Sequence, residues 1–308
     1  MRNVVLLLVL LCFSVSGYGQ LYSKAFGKKS DPAIIFLHGG PGYNCVNFEL
    51  TTAAKLAESG YYVIVYDQRG CARSKEMKDS KYTMEEALND LKSVYETHKV
   101  KKAVLVGHSW GGTLGTYFAA SEPQLVSRVI LVGSPYSYPM TIRSIVSNSE
   151  RAYRAKDDTT SIKFIAQIKA MDTASLQYSS LAFMQAMRAG LYTTQKQTEE
   201  AKALAASLRE APEAKYLRAS EFPPVQGLYT NEKYTTIHIG AKMKEARAKG
   251  VNFYGIYGDE DGLYDQEQLD LLRKELGEEH FRVIKGASHN VFIDKQPEFL
   301  QAVKEYTK

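Results

Sequence analysis

The sequence predicts an α/β protein: a mostly parallel sheet wrapped by helices, interrupted by a helical cap insertion. Three observations carry that expectation. Short apolar runs alternate with helical segments over residues 21–135 and again over 239–308. Glycine-rich clusters at 38–42, 67–74 and 107–112 each follow such a run directly. Between about 136 and 238 the alternation stops and polar, helical patterning replaces it. Strand–helix alternation builds a parallel sheet covered on both faces, and function in such sheets collects at the carboxyl ends of the strands.

Residues 1–19 read as a secretory signal: Met1-Arg2-Asn3, an apolar core over 4–13, then small residues at Ser14, Ser16, Gly17 and Gly19. The apolar core is too short for a spanning helix. Cleavage after Gly19 would leave Gln20 first. The alternatives are an uncleaved anchor and a lipid-modified Cys12. No later segment is long and apolar enough to cross a membrane, so an exported protein, periplasmic or secreted and without stable membrane insertion, is expected.

The core is expected over 20–135 and 239–308. Residues 21–26 suit an edge strand, and the continuous apolar runs 33–37 and 61–66 suit buried parallel strands. A helix is expected over 48–58, stopped by Gly60. Thr83-Met84-Glu85-Glu86 has the form of a capping box opening a helix to about His98. Strands follow over 103–106 and 128–134, with a helix over 113–120 between them. The insertion, 136–238, carries helical patterns over 143–154, 162–171, 181–189 and 198–209, broken by Pro212 and Pro223-Pro224. Long insertions in compact domains are usually functional, so this one is expected to cap the sheet's active edge. The pattern then resumes as helix 239–248, strand 251–257, helix 266–276, strand 281–284 and a closing helix 297–305.

The organising stretch is Gly107-His108-Ser109-Trp110-Gly111-Gly112, at the junction of an apolar strand and a helix. Glycines two before and two after a serine at such a junction form a nucleophile elbow. The serine takes a strained φ/ψ that lifts its hydroxyl clear, and a side chain at Gly107 or Gly111 would collide with the neighbouring strand or helix. The helix N-terminus that follows favours negative charge on a bound carbonyl.

A serine hydroxyl needs a base in hydrogen-bond reach, and the base an orienting acid. His289, in a loop after the last strand, is the base by position and chain order. His38 and His108 are motif neighbours that brace loops, and His98, His238 and His280 lie at element ends or in the insertion. Asp259, Asp261 and Asp265 compete for the acid. Two preorganised N–H donors form an oxyanion hole: Trp110, which follows the nucleophile, and Gly40, in the loop after the first buried strand.

His38-Gly39-Gly40-Pro41-Gly42, Asp67-Gln68-Arg69-Gly70 with Ser74, the elbow, Gly258-x-x-Asp261 and Gly286-Ala287-Ser288-His289 together resemble the prolyl iminopeptidase branch of the α/β-hydrolases. The resemblance covers the sheet domain on both sides of the insertion. It implies a serine peptidase removing an N-terminal residue, often proline, with Ser109, Asp261 and His289 as the triad and Gly40 and Trp110 as oxyanion donors. Such enzymes hold the substrate ammonium with cap carboxylates. The family's cap motifs are not found here, and Glu221 is the candidate by position.

Three readings follow. An aminopeptidase on short peptides requires an acidic pocket beside Ser109. A carboxylesterase or lactonase requires an apolar, uncharged one. A non-catalytic relative that binds a small molecule requires a broken triad or blocked oxyanion hole. No cofactor is implied, and no His/Asp/Glu cluster has metal-ligand spacing. A net charge of +5 over 308 residues, without a dense basic tract, argues against nucleic acid. Cys45 and Cys71, left after the signal, are expected as free, partly buried thiols.

Overall fold

The computed structural model describes residues 21–77, 79–217 and 220–308. The expected signal and its cleavage site, with Cys12, lie outside the described residues. Seven strands form one sheet: β1 (Ser23–Phe26), β2 (Ala33–Leu37), β3 (Tyr62–Tyr66), β4 (Ala103–His108), β5 (Val126–Val132), β6 (Asn252–Gly258) and β7 (Phe281–Ile284), in the order β1-β3-β2-β4-β5-β6-β7. β1 pairs antiparallel at the edge; all other pairs are parallel.

The central strands are apolar throughout because both faces are covered. Successive side chains alternate between faces. Ile35, Leu37, Ile64 and Leu105 join one core, against helices α1 (Met84–His98) and α2 (Trp110–Ser121). Ile34, Phe36, Val63 and Val106 join the other, where Phe36 stacks on Phe48 with ring centroids 3.8 Å apart. Residues 46–58 are helical, with a π-helical middle at Glu49–Ala53. Cys45 and Cys71 are both free and buried.

Between β5 and β6 lie α3 (Tyr138–Arg154), α4 (Thr159–Lys169), α5 (Leu176–Ala189), α6 (Glu199–Glu210), α7 (Phe222–Glu232) and α8 (Gly240–Ala248). A bridge between Ser137 and His238 draws the ends of residues 138–237 together. After β6 come α9 (Gln266–Leu276) and, closing the chain, α10 (Gln296–Thr307).

Three local differences from the sequence expectation have clear causes. α3 starts five residues earlier than 143, because Ser137 caps it through Oγ (Met140 N, 3.3 Å) and Pro139 suits a first turn. α7 was not expected at all, since Pro223-Pro224 reads as punctuation; both prolines sit in its first turn, where no N–H partner is lost. At Thr83 the cap accepts from Glu86 N at 3.1 Å, while Glu86 Oε2 reaches past it to Tyr82 N at 2.7 Å and Lys81 N at 3.0 Å.

Candidate active site

β4 ends and α2 begins within two residues, and only a sharp turn makes that connection. Ser109 sits in it at φ 53°, ψ −123°. The glycines around it are required sterically. A Cβ on Gly111 would lie 2.0 Å from the Leu37 carbonyl oxygen, and one on Gly107 would lie 2.5 Å from Gly112 Cα. The turn is fixed by backbone bonds: Ser109 N–H donates to Val132 O (2.9 Å), and its carbonyl accepts from Gly112 N–H (3.0 Å) and Ser134 Oγ (2.9 Å). Strain of this kind persists only where the surroundings over-determine it.

Of the three candidate acids, Asp261 reaches His289. Their Oδ2 and Nδ1 are 2.8 Å apart, with the side chains only 1% and 4% exposed. The other Asp261 oxygen accepts from Leu263 N–H at 3.1 Å. Asp259 instead accepts from Gly286 N–H, and Asp265 caps α9 through Gln268 N–H. The Asp261–His289 pair lies over Gly133 (φ +48°), where a Cβ would come within 3.2 Å of His289 Nδ1 and 3.3 Å of Asp261 Oδ2. With Nδ1 engaged by the carboxylate, Nε2 is the nitrogen left for proton transfer.

His108 packs its ring 4.7 Å from that of His289 and sets Nε2 3.0 Å from the His289 carbonyl oxygen. Burial, reinforced by the neighbouring His289, pushes the His108 imidazole well below its ordinary pKa, so it stays neutral. Its position is that of a brace for the His289 loop.

The loop after β2 brings Gly39 against the elbow: a Cβ there would lie 3.0 Å from Ser109 Cβ. Gly40 adopts φ +129°, open only to glycine, and precedes a cis Pro41. Gln68, to which sequence patterning attached no role, ties the site together. Its side-chain amide donates to His38 O (2.8 Å) and accepts from Trp110 Nε1 (3.1 Å), and its backbone N–H donates to His38 Nε2 (2.9 Å). The loop carrying Gly40 is thereby joined to the residue carrying the other candidate oxyanion donor. As the first residue of α2, Trp110 has no intrahelical acceptor for its N–H. Asp67 anchors the same region: burial pushes its carboxyl up, but the hydrogen bonds and charge of Arg73, the neighbouring His38 and the Cys45 N–H together outweigh burial and hold it below the usual range.

Ser109 and His289 line one cavity of about 730 Å³, with Gly39, Gly40, Tyr192 and Phe183 among its walls. No charged side chain is among the described residues lining it. Glu221 is not brought into it. Its backbone N–H donates to Gly42 O at 2.8 Å, and its carboxylate faces Lys75 Nζ at 3.7 Å. Position in the chain suggested Glu221 as a substrate contact, but the turn into α7 directs the carboxylate elsewhere. A second cavity, of about 30 Å³, lies behind Trp110 beside Arg69, Tyr82 and Asp90, with room for water only.

Residues 32–296 match the family model described as the alpha/beta hydrolase fold. A proline iminopeptidase of Saccharolobus solfataricus is 35% identical over 138 residues, covering 43% of this chain and 42% of that protein. One from Lacticaseibacillus rhamnosus is 32% identical over 160 residues, covering 48% and 54%. The chain thus spans about half the length of the curated relatives it matches. In fold it is similar to a proline iminopeptidase-related protein of Thermus thermophilus, at TM-score 0.67 and 20% identity, covering 92% of each chain. A sheet of this order, a serine in a strained strand–helix turn and a match over most of the length lead to one conclusion: the chain belongs to the α/β-hydrolase family.

Proposed function

We propose that this protein is a serine hydrolase working through an acyl-enzyme, with Ser109 as nucleophile, His289 as base and Asp261 as the orienting acid. The observation that carries this reading is the 2.8 Å Asp261–His289 contact on a cavity shared with the strained Ser109. Ser109 Oγ attacks the substrate carbonyl as His289 Nε2 takes its proton, and Asp261 stabilises the imidazolium. The N–H groups of Gly40 and Trp110 receive the oxyanion. His289 returns the proton to the leaving group, and water then releases the acyl group by the reverse steps.

The bond cleaved is an aminoacyl bond at the amino terminus of a short peptide, a reading supported by the names of the relatives. Export through the signal read at 1–19 would place the enzyme outside the cytoplasm. A second reading, carboxylesterase or lactonase, is favoured by one specific observation, the absence of a charged side chain among the described residues lining the cavity. An aminopeptidase must desolvate an ammonium, which is costly without a carboxylate partner.

Fluorophosphonate labelling of wild type, with none in Ser109→Ala, is the expected result for the nucleophile. Prolyl anilide, N-acetylprolyl anilide and simple aryl esters then separate the two readings. Preference for the free amine supports the peptidase. Turnover of the ester and blocked anilide equal to or above that of the free amine overturns it in favour of the esterase.

A further inference from the structure

Helix α5 carries two faces. Tyr178, Ala182, Ala186 and Ala189 are buried in the cap. Ser180, Phe183, Met184 and Met187, spaced i, i+3, i+4 and i+7, form a second face along the cavity that holds Ser109 and His289. Among the described residues no element covers the outer end of this face: Met187 is 66% exposed. Leu217, Phe222 and Val225 form an apolar wall of the same cavity, and Phe222 is 58% exposed. Among the described residues only four large apolar side chains are exposed, and two of them belong to this one cavity.

The polar groups in the lining are partly engaged already. Tyr43 donates its hydroxyl to Leu217 O (3.1 Å) and accepts from Asn47 Nδ2 (3.0 Å). The volume, about 730 Å³, falls in the range that encloses drug-sized ligands, roughly 300–1,000 Å³. That is far more space than one small amino-acid side chain fills.

We propose that the Phe183–Met184–Met187 face, with Phe222 lining the same cavity, is a subsite for a bulky, uncharged apolar group of the substrate, such as a medium-length alkyl chain. The inference rests on Ser109 being the nucleophile and names the substrate class of that site. Unbranched thioether side chains suit such a group because they repack around chains of different length. The shared chemistry is an apolar group on either side of the scissile bond, so two series are needed. In one, p-nitrophenyl esters vary the acyl chain from two to eight carbons. In the other, acetate esters vary the alcohol over the same range, followed by acid release.

In one series kcat/KM should rise at least tenfold across the range; the ceiling is about fourfold per methylene, the equivalent of ~0.8 kcal/mol for each buried CH2. The ratio of long-chain to short-chain kcat/KM, which cancels any loss of folded enzyme, should fall at least fivefold in Met187→Glu and in Phe183→Ser. Leu271→Glu, at an exposed leucine outside the cavity, should keep the wild-type ratio. Two flat series in an enzyme that takes the fluorophosphonate and cleaves the shortest ester overturn this inference alone. An unchanged ratio in both cap variants also overturns it. No labelling at Ser109 overturns the nucleophile reading beneath it.

Discussion

The floor and the roof of the cavity are built to different tolerances. On the floor, backbone meets backbone: added methyl groups at Gly107, Gly111 and Gly258 would lie within about 2.5 Å of main-chain atoms. The Ser109 backbone, His289 Nδ1 and the Gln68 side chain each have a named partner at hydrogen-bond distance. On the roof, α5 presents two methionines and a phenylalanine to open space, and Met187 touches mostly solvent. Close backbone approach leaves no slack, whereas unbranched side chains beside a void can repack. The turn around Ser109 and the apolar face above it thus belong to parts of the molecule that can change independently.

The comparison can be broken most severely at the proposed nucleophile. Ser109→Ala should lower kcat by up to about 10⁶-fold while leaving the melting temperature close to wild type, checked by single-turnover kinetics and calorimetry. Asp261→Asn keeps the side-chain shape but presents an amide to His289; the expected loss is about 10⁴-fold in kcat with little change in KM. Gly133→Ala tests how little slack the floor has. At φ +48°, with its methyl 3.2 Å from His289 Nδ1, it should cost about 1–2 kcal/mol in urea unfolding and at least tenfold in kcat. A wild-type kcat in this variant would refute the rigid floor.

The roof should respond more mildly. Met187→Ser, at an exposed position, should shift KM for apolar substrates by less than about tenfold and leave urea stability within about 0.5 kcal/mol. A last effect is one of pH, read in stability rather than in activity. Burial holds both His38 and His108 below the ordinary imidazole pKa. The unfolded chain titrates near 6.5, so below that pH it binds protons that the fold rejects. Stability is therefore full above about pH 6.5 and falls as pH drops, by up to about 1.4 kcal/mol per pH unit for each histidine. Urea titrations from pH 7.5 to 5 should show a shallower slope for His108→Gln than for wild type.

Local patterning made the sheet legible. Apolar runs of four to six residues marked β2, β3 and β4 within about two residues, because strands buried on both faces need no alternation. Boundaries failed where capping chemistry was decisive, as at Ser137, and α7 was missed because prolines that stop a helix in its middle are tolerated at its start. In the site, Ser109 stood out because its elbow is written in consecutive residues. Gln68 did not, since its three hydrogen bonds run to residues 30 and 42 positions away.

The amino-acid sequence by itself determined the alternating architecture, the strained turn at Ser109 and the chain order of serine, acid and histidine. Those features follow from spacing along the chain: side-chain period, glycine position and helix start signals. Only the tertiary structure decided which of Asp259, Asp261 and Asp265 faces His289, that Glu221 turns to Lys75, and that α5 shows the cavity an apolar face. Each of these depends on distances between segments tens to hundreds of residues apart, and such distances are fixed when the sheet registers and the cap closes over its edge.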